Sequence, residues 1–433
     1  MHYVEWGFSS PPFTQTALPA DETGSSLLIG RDGETARVQR LLASPPKTVT
    51  VEGPNGVGKT SLVNVSAYRA LVRATQDDRY PLVIPCEESF QLSADRDIEE
   101  FIDSVYYAIA QTLLKYAQRL KDDGYDVPDS GPINRWLNSP QLTSFSAGAG
   151  VLSLGGGREN NTGKGFSRSG FRLEIRNWLS SIFPSSSDGG VVCVIDNLEL
   201  LQESSKARQI LETLRDPLIS LPGTRWVLCG ALGIVLGIAV SPRFDGLLHS
   251  PIEVGGLDDG SVPDVLESRV NAYQYSAARP YLPITTGDFE ELYSILGKNL
   301  RSLLGRVDDY CQWCADNGHH PDDEAEKRST FVTWLSEVSS STLAAANAQV
   351  TPRAWRLFDA TFSEGGRFSP GEFEAFGFNS SQAMRPHVKT LEDAGLVYSS
   401  RDDGDKRRKT VNVSAKGWVV RYARHQSNEA QDA

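Results

Sequence analysis

Residues 48–60 read TVTVEGPNGVGKT, and within them Gly53, Gly58, Lys59 and Thr60 keep the spacing Gly-x4-Gly-Lys-Thr. This is the P-loop pattern, in which backbone N–H groups close around phosphate oxygens and the next helix offers its positive N-terminal end. Each residue type has a task there. The glycines let main chain approach an anion, the Lys59 ammonium neutralises β- and γ-phosphates, and the Thr60 hydroxyl is placed to ligate Mg2+. Pro54, Asn55, Gly56 and Val57 complete the loop, and Ser61 follows it. A glycine turn entering a helix without any ligand is the alternative, and the strand and helix patterns on either side count against it.

Those flanking elements must position the loop. Thr48–Glu52 is a short β-branched run, and SLVNVSAYRALV from Ser61 carries an apolar helical period. The run Gly190–Ile195 is continuously apolar and ends in Asp196. It suits a buried parallel strand that delivers a carboxylate to its C-terminal edge, where nucleotide sites of such sheets lie. Following a P-loop, Asp196 is the acid expected to orient Mg2+. Further strands are expected at residues 80–86, Arg225–Gly230 and Pro251–Val254. A long amphipathic helix is expected from Ile98 to Leu120, with Phe101, Ile102, Val105, Ile109, Leu113 and Leu114 on one face.

The chain has 433 residues, 39 % hydrophobic and 23 % charged, with net charge −12. That length suggests two or three domains, and the acidic balance argues against a protein coated in nucleic acid while leaving room for a local basic patch. No apolar run approaches the ~20 residues needed to cross a bilayer, and MHYVEWGFSSPPF lacks the features of a signal peptide, so a cytoplasmic protein without a membrane partner is expected. Of the five cysteines, Cys193 and Cys229 lie in apolar runs and read as reduced and buried. Cys311 and Cys314 with His319 and His320 could supply a zinc shell, but the helical pattern from Val307 places both thiols in packing positions and no second CxxC exists. Residues 145–166, within an insertion at 124–170, read as a β-hairpin, a mobile loop or a disordered surface stretch.

At this point the order of parts resembles an AAA+ ATPase of the origin-recognition/STAND branch. The matching pieces are Gly30-Arg31-Asp32-Gly33-Glu34, the P-loop, the VVCVIDNLE strand, the fourth strand, Ser241–Gly246, and a helical segment with Gly297-Lys298-Asn299-Leu300-Arg301. The resemblance implies ATP and Mg2+ as ligands, Gly30 and Arg31 at the nucleotide, Arg243 reaching a neighbouring subunit's γ-phosphate in a homo-oligomer, and Arg301 as a lid arginine sensing the nucleotide. The sequence departs from the family twice. Asn197 stands where many relatives carry a second acid, leaving Glu199 as the nearest alternative, and Cys229-Gly230-Ala231-Leu232 supplies no polar sensor. Both departures imply slow hydrolysis, with nucleotide binding as the working event.

From Thr351 the pattern changes to short helices and a basic hairpin. Helices are expected over Arg353–Phe362, from Ser369-Pro370, and from Ser380 or Ser381 to Gly395. Strands Leu396–Ser400 and Lys409–Val413 flank residues 401–408. This resembles a MarR-like winged helix, although Pro386 interrupts its third helix. Between Arg401 and Arg424 stand eight Lys or Arg and three Asp, a local +5 in an acidic chain, as phosphate contact requires. Arg385, His387 and Lys389 would face the major groove of duplex DNA, with Lys406, Arg407 and Arg408 at the wing tip. A winged helix used for protein docking is the alternative.

The expected fold is therefore α/β: an N-terminal arm (1–27) wrapping the surface, a P-loop AAA+ ATPase core (28–255), a helical lid (256–345), a winged helix (346–424) and a disordered tail (425–433). The expected function is an ATP-binding, oligomerising switch that binds duplex DNA. The competing reading is a STAND-like regulatory ATPase, for instance in bacterial antiviral defence, that gates a separate effector protein. A metabolic kinase is disfavoured because it has no use for the lid and winged helix.

Overall fold

The chain opens with two short helices, α1 (His2–Glu5) and α2 (Glu22–Leu27), and then α3 (Asp32–Leu42) leads into strand β1 (Val49–Glu52). The P-loop joins β1 to α4 (Lys59–Gln76), which is followed by β2 (Leu82–Gln91), α5 (Ile98–Asp122), α6 (Gly131–Leu137), α7 (Arg168–Ile182) and β3 (Gly189–Asp196). Next come α8 (Ser204–Leu214), β4 (Thr224–Gly230) and β5 (Ile252–Glu253). Four helices succeed them, α9 (Val262–Tyr273), α10 (Thr286–Ile295), α11 (Leu300–Asp316) and α12 (Glu324–Asn347). The C-terminal part holds α13 (Pro352–Thr361), β6 (Arg367–Phe368), α14 (Ser381–Asp393), β7 (Val397–Arg401), β8 (Lys409–Val413) and α15 (Ala415–Asp432). This computed structural model describes residues 2–93, 97–137, 168–201, 204–231, 233, 242–401 and 409–432. Two compact units divide the chain: Gly33–Glu52 with Val63–Ile252, and Met1–Asp32 with Gly53–Leu62 and Glu253–Ala433.

The first of these holds the five-stranded sheet, ordered β2-β3-β4-β1-β5. The pairs β2·β3, β3·β4 and β4·β1 are parallel. Every residue of β1, β3 and β4 is buried, the reason β3 reads as a continuous apolar run ending in Asp196 and not as an alternating one. Helices α5, α7 and α8 pack Phe101, Tyr106, Trp178 and Leu211 into one core with Cys193, Ile195, Trp226 and Leu228 of the strands. The face expected on α5 is the buried one, from Phe101 to Leu113, with Leu114 partly buried. Arg172 of α7 fastens that helix to α5 through Asp103 at 2.6 Å and Glu99 at 2.9 Å. The hairpin expected at residues 145–166 lies outside the described residues.

In the other unit, α9 to α12 form the lid, and the N-terminal arm is part of its core. Tyr3, Trp6, Phe8 and Phe13 are buried with Leu266, Phe289, Tyr310 and Cys311. The Tyr3 hydroxyl donates to Asp308 at 2.7 Å, and Arg269 donates to the Pro12 carbonyl at 2.6 Å. An arm wrapping the surface was expected because its Pro and Ser content masks four aromatics whose burial outweighs its lack of periodicity. Cys311 and Cys314 are wholly buried on α11, in the packing positions the helical pattern predicts. Burial raises both thiols, Cys314 to about 11.

The winged helix packs Trp355, Phe358, Met384, Leu391 and Val411 around a three-stranded sheet of order β6-β8-β7. Two residues of β6 pair antiparallel with β8, a strand too short to leave a sequence signal. The helix expected from Ser369-Pro370 is a single 3-10 turn, Pro370–Glu372, closed by a Ser369/Glu372 capping box. Pro386 sits inside α14. Where a disordered tail was expected from 425, α15 continues to Asp432. Adjacent residues of α15 serve two cores: Val419 joins the lid and Val420 the winged helix. No described helix is long and apolar enough to cross a membrane. The architecture is thus an AAA+-type α/β core with a five-stranded parallel sheet, a helical lid and a C-terminal winged helix.

Candidate functional site

The phosphate loop is held from outside, by its carbonyls. The Lys59 ammonium donates to the Gly53 carbonyl at 2.9 Å and to that of Pro54 at 3.2 Å. The Asn299 side-chain amide donates to the Asn55 carbonyl at 2.6 Å, and the backbone N–H of Arg301 to that of Gly56 at 3.0 Å. Arg31 donates to Val57 O at 3.4 Å, and Leu62 N–H to Gly58 O at 2.9 Å. Every carbonyl from 53 to 58 therefore has a donor. So held, the loop leads directly into the N-terminus of α4, a place where backbone N–H groups can bind an anion.

Glycine is required where other atoms crowd the loop. Gly56 has φ 84°, and a Cβ there would lie 2.5 Å from the Asn299 amide oxygen. A Cβ on Gly53 would meet the Val254 carbonyl at 2.2 Å. Lys59 is only 6 % exposed, so its charge is shielded from water and answers to whatever anion enters. Ser61 accepts a hydrogen bond from Leu18 N–H of the arm at 3.0 Å. Arg31 is also buried and reaches Gly255 O at 2.5 Å, so its guanidinium braces the loop against the segment that follows β5. Gly30, at φ 68°, packs on Ser261. The Arg301 side chain is exposed, and it is the backbone of this residue that meets the loop.

Asp196, Glu199 and Arg243 belong to the other unit. Leu228 pairs with Thr50 on one side and Ile195 on the other, so β1 and β3 end within one residue of each other and Asp196 stands at the C-terminal edge of the sheet. Its carboxylate is buried, at 6 % exposure. A buried acid at this edge has the donor chemistry a hard divalent cation takes. Asn197 follows with φ 55°, which ends the strand abruptly. Glu199 lies in a 3-10 turn, Leu198–Leu201, and its side chain is outside the described residues. Arg243 is exposed and donates to Glu212 O at 3.5 Å, beside the buried Phe244 that anchors this segment. Leu232 and Ser241 lie outside the described residues.

On the winged helix, Met384, Val388 and Leu391 face inward, which turns Arg385 and Lys389 outward, both exposed. His387 is half-buried against the Phe378 ring, centroids 5.4 Å apart. Arg353 of α13 lies over that same ring at 4.8 Å. Burial and then Arg353 hold the His387 imidazole below its ordinary 6.5. Lys406, Arg407 and Arg408 lie outside the described residues.

Two residues escape sequence reasoning. Asn299 is legible as a helix cap but not as a donor to a loop 244 positions earlier, and Arg353 reads as an ordinary helix surface residue. A lid cleft of about 730 Å3 near Tyr281 and Lys327 is a lesser candidate. Its arginines are already committed, Arg279 to Glu267 and Arg328 to Asp288 and Glu291.

No family model matches the chain. No curated protein matches it. Among solved structures it is similar to the Aeropyrum pernix ORC2 protein in its ADP form, with 12 % identity, TM-score 0.47, and 98 % of this chain and 99 % of that chain covered. It is also similar to the Aeropyrum pernix ORC1 protein in complex with DNA, with 14 % identity, TM-score 0.43 and 92 % of each chain covered. A third is CDC6P from Pyrobaculum aerophilum, with 14 % identity, TM-score 0.41, and 96 % of this chain and 98 % of that one covered. At these values the similarity carries no inference about activity. What places the chain among AAA+-type folds is its own strand order, its loop after β1, its lid and its winged helix.

Proposed function

We propose that the protein is an ATP-binding AAA+ switch whose winged helix contacts duplex DNA, with slow hydrolysis and with assembly through its ATPase units. The observation that carries this reading is the loop whose six carbonyls from 53 to 58 all have donors, since a loop so held offers its amides to phosphate at little further entropic cost. On phosphate binding, Lys59 exchanges its two carbonyls for β- and γ-phosphate oxygens. Thr60 and Asp196 are the residues that would supply oxygen ligands for Mg2+, and the cation would neutralise phosphate charge. Asn197 gives the position after Asp196 no carboxylate, which supports a long-lived ATP state. In an oligomer, Arg243 would complete a neighbour's site.

The DNA part of the reading is supported by Arg385 and Lys389, exposed on one helix in a chain of net charge −12. The local basic surface is what phosphate contact asks for. Binding energy for the γ-phosphate would select one lid arrangement and with it the DNA-competent form.

The test is duplex DNA binding at two salt concentrations with ATP, with ADP and with Lys59→Ala. Affinity that falls with salt and requires both ATP and Lys59 is the expected result. Equal affinity in all three conditions would disconnect the two sites, and no DNA binding in any of them would leave the winged helix as a protein contact.

A further inference from the structure

We infer that Asn299 is the positioning residue that keeps the phosphate loop ready for nucleotide, an inference that rests on the nucleotide-binding reading above. Asn299 is the N-cap of α11, and its Oδ1 accepts from Ser302 N–H at 3.0 Å. At the same time its Nδ2 donates to the Asn55 carbonyl at 2.6 Å. Among short side chains only asparagine offers an acceptor and a donor from one planar group. Ser or Asp caps a helix as well but cannot also donate an N–H across to the loop.

The Asn55-Gly56 peptide is where the loop most needs such a hold. Gly56 has φ 84° and Gly58 φ 97°, and glycine loses more conformational freedom on ordering than any other residue. Two of the loop's carbonyls, those of Gly53 and Pro54, depend on Lys59, and Lys59 leaves them when it turns to phosphate. The donors that remain through binding are Asn299, Arg31 and the N–H groups of Arg301 and Leu62. Asn299 is therefore the side chain that holds the peptide before Gly56 while Lys59 is occupied elsewhere.

The approach of Asn299 is itself fixed. Gly297 and Lys298 have φ 64° and 60°, and their N–H groups return to Ser294 and Tyr293 carbonyls of α10 at 3.2 and 3.0 Å, a helix-ending turn that swings the next residue outward. Lys298 is tied by its ammonium to Asp259 at 2.9 Å. Gly297 has no room for a side chain, since a Cβ would fall 2.4 Å from the Trp418 ring of α15. The clasp on the loop is thus built on the same turn that seats the winged helix's last helix.

The experiment compares Asn299→Ser and Asn299→Ala with the full-length wild type, by calorimetric titration of MgADP and MgATP and by thermal melting. Asn299→Ser keeps the cap and loses the reach to Asn55, so melting should stay near wild type while affinity for both nucleotides falls about 3- to 10-fold, as loss of one neutral hydrogen bond predicts. Asn299→Ala loses both bonds, and should show the same affinity loss together with a lower melting temperature. Wild-type affinity in Asn299→Ser would overturn the inference and leave nucleotide binding intact. If wild-type protein binds neither nucleotide, the nucleotide reading falls and this inference with it.

Discussion

In the phosphate loop the single lysine is 6 % exposed and bonded to two carbonyls of its own loop, whereas on α14 Arg385 and Lys389 stand exposed and form no salt bridge with a described residue. Both regions are cationic and both are suited to phosphate. The loop holds one charge in a shape enforced by donors from Arg31, the lid and α4, so recognition of a phosphate there would be geometric and weakly screened. The helix presents two cations in water, each worth little alone and both sensitive to salt. Changes to the loop should therefore act steeply and at one residue, and changes to the helix gradually and in sum.

The steepest expectation is Lys59→Ala, which should weaken nucleotide binding by about 100-fold, the scale of lost charge-assisted bonds, with little change in melting. A titration in which Lys59→Ala binds like wild type would erase the contrast. Next is Gly56→Ala. Its φ of 84° and the 2.5 Å approach of Asn299 predict about 1–3 kcal/mol of strain, read as a lower melting temperature together with weaker nucleotide binding. A variant as stable as wild type would show that the loop is less fixed than its carbonyl bonds imply.

On the helix, Arg385→Ala and Lys389→Ala should each lower duplex affinity modestly and reduce the slope of log affinity against log salt by about 0.9. A single variant that abolishes binding at all salt concentrations would make this surface as geometric as the loop. The smallest effect belongs to His387. Its imidazole is held below 6.5 by burial and Arg353, so the unfolded chain binds more protons in this range and stability falls as pH drops below about 6.5. Bound phosphate has the opposite sign, since it favours the charged imidazole. Duplex affinity should rise slightly as pH falls from 7.5 to 6, while melting temperature declines. His387→Gln should remove both trends.

How far the sequence reached differs by element. The β3 run is legible because a strand buried on both faces is apolar up to its terminal Asp196, and β1 and β4 because β-branched and aromatic residues dominate them although Glu52 and Arg225 are buried too. The Ser380 cap of α14 is legible because a serine at that place bonds the Ala383 N–H. The two-residue β6 is not, since its pairing with β8 is non-local and two residues show no period. The arm misled for a related reason. Its aromatics are scattered among prolines and serines, and only the lid core that receives Tyr3, Phe8 and Phe13 reveals them as buried. Next to Arg301, whose backbone N–H meets the loop, it is Asn299 that supplies a side-chain contact to it, and nothing in the spacing marks that.

By itself the sequence determined the phosphate loop, the acid at the end of β3 and the helix that carries Arg385 and Lys389, because each is a local pattern whose backbone and side-chain types follow from neighbouring residues. Only the tertiary structure decided what holds the loop's carbonyls, since Arg31, Asn299 and Arg301 come from distant parts of the chain and hydrogen bonds across such separations leave no trace in spacing. It likewise decided that α15 continues past residue 424. A helix that places Val419 in one core and Val420 in another is specified by the surfaces it joins, more than by a period of its own.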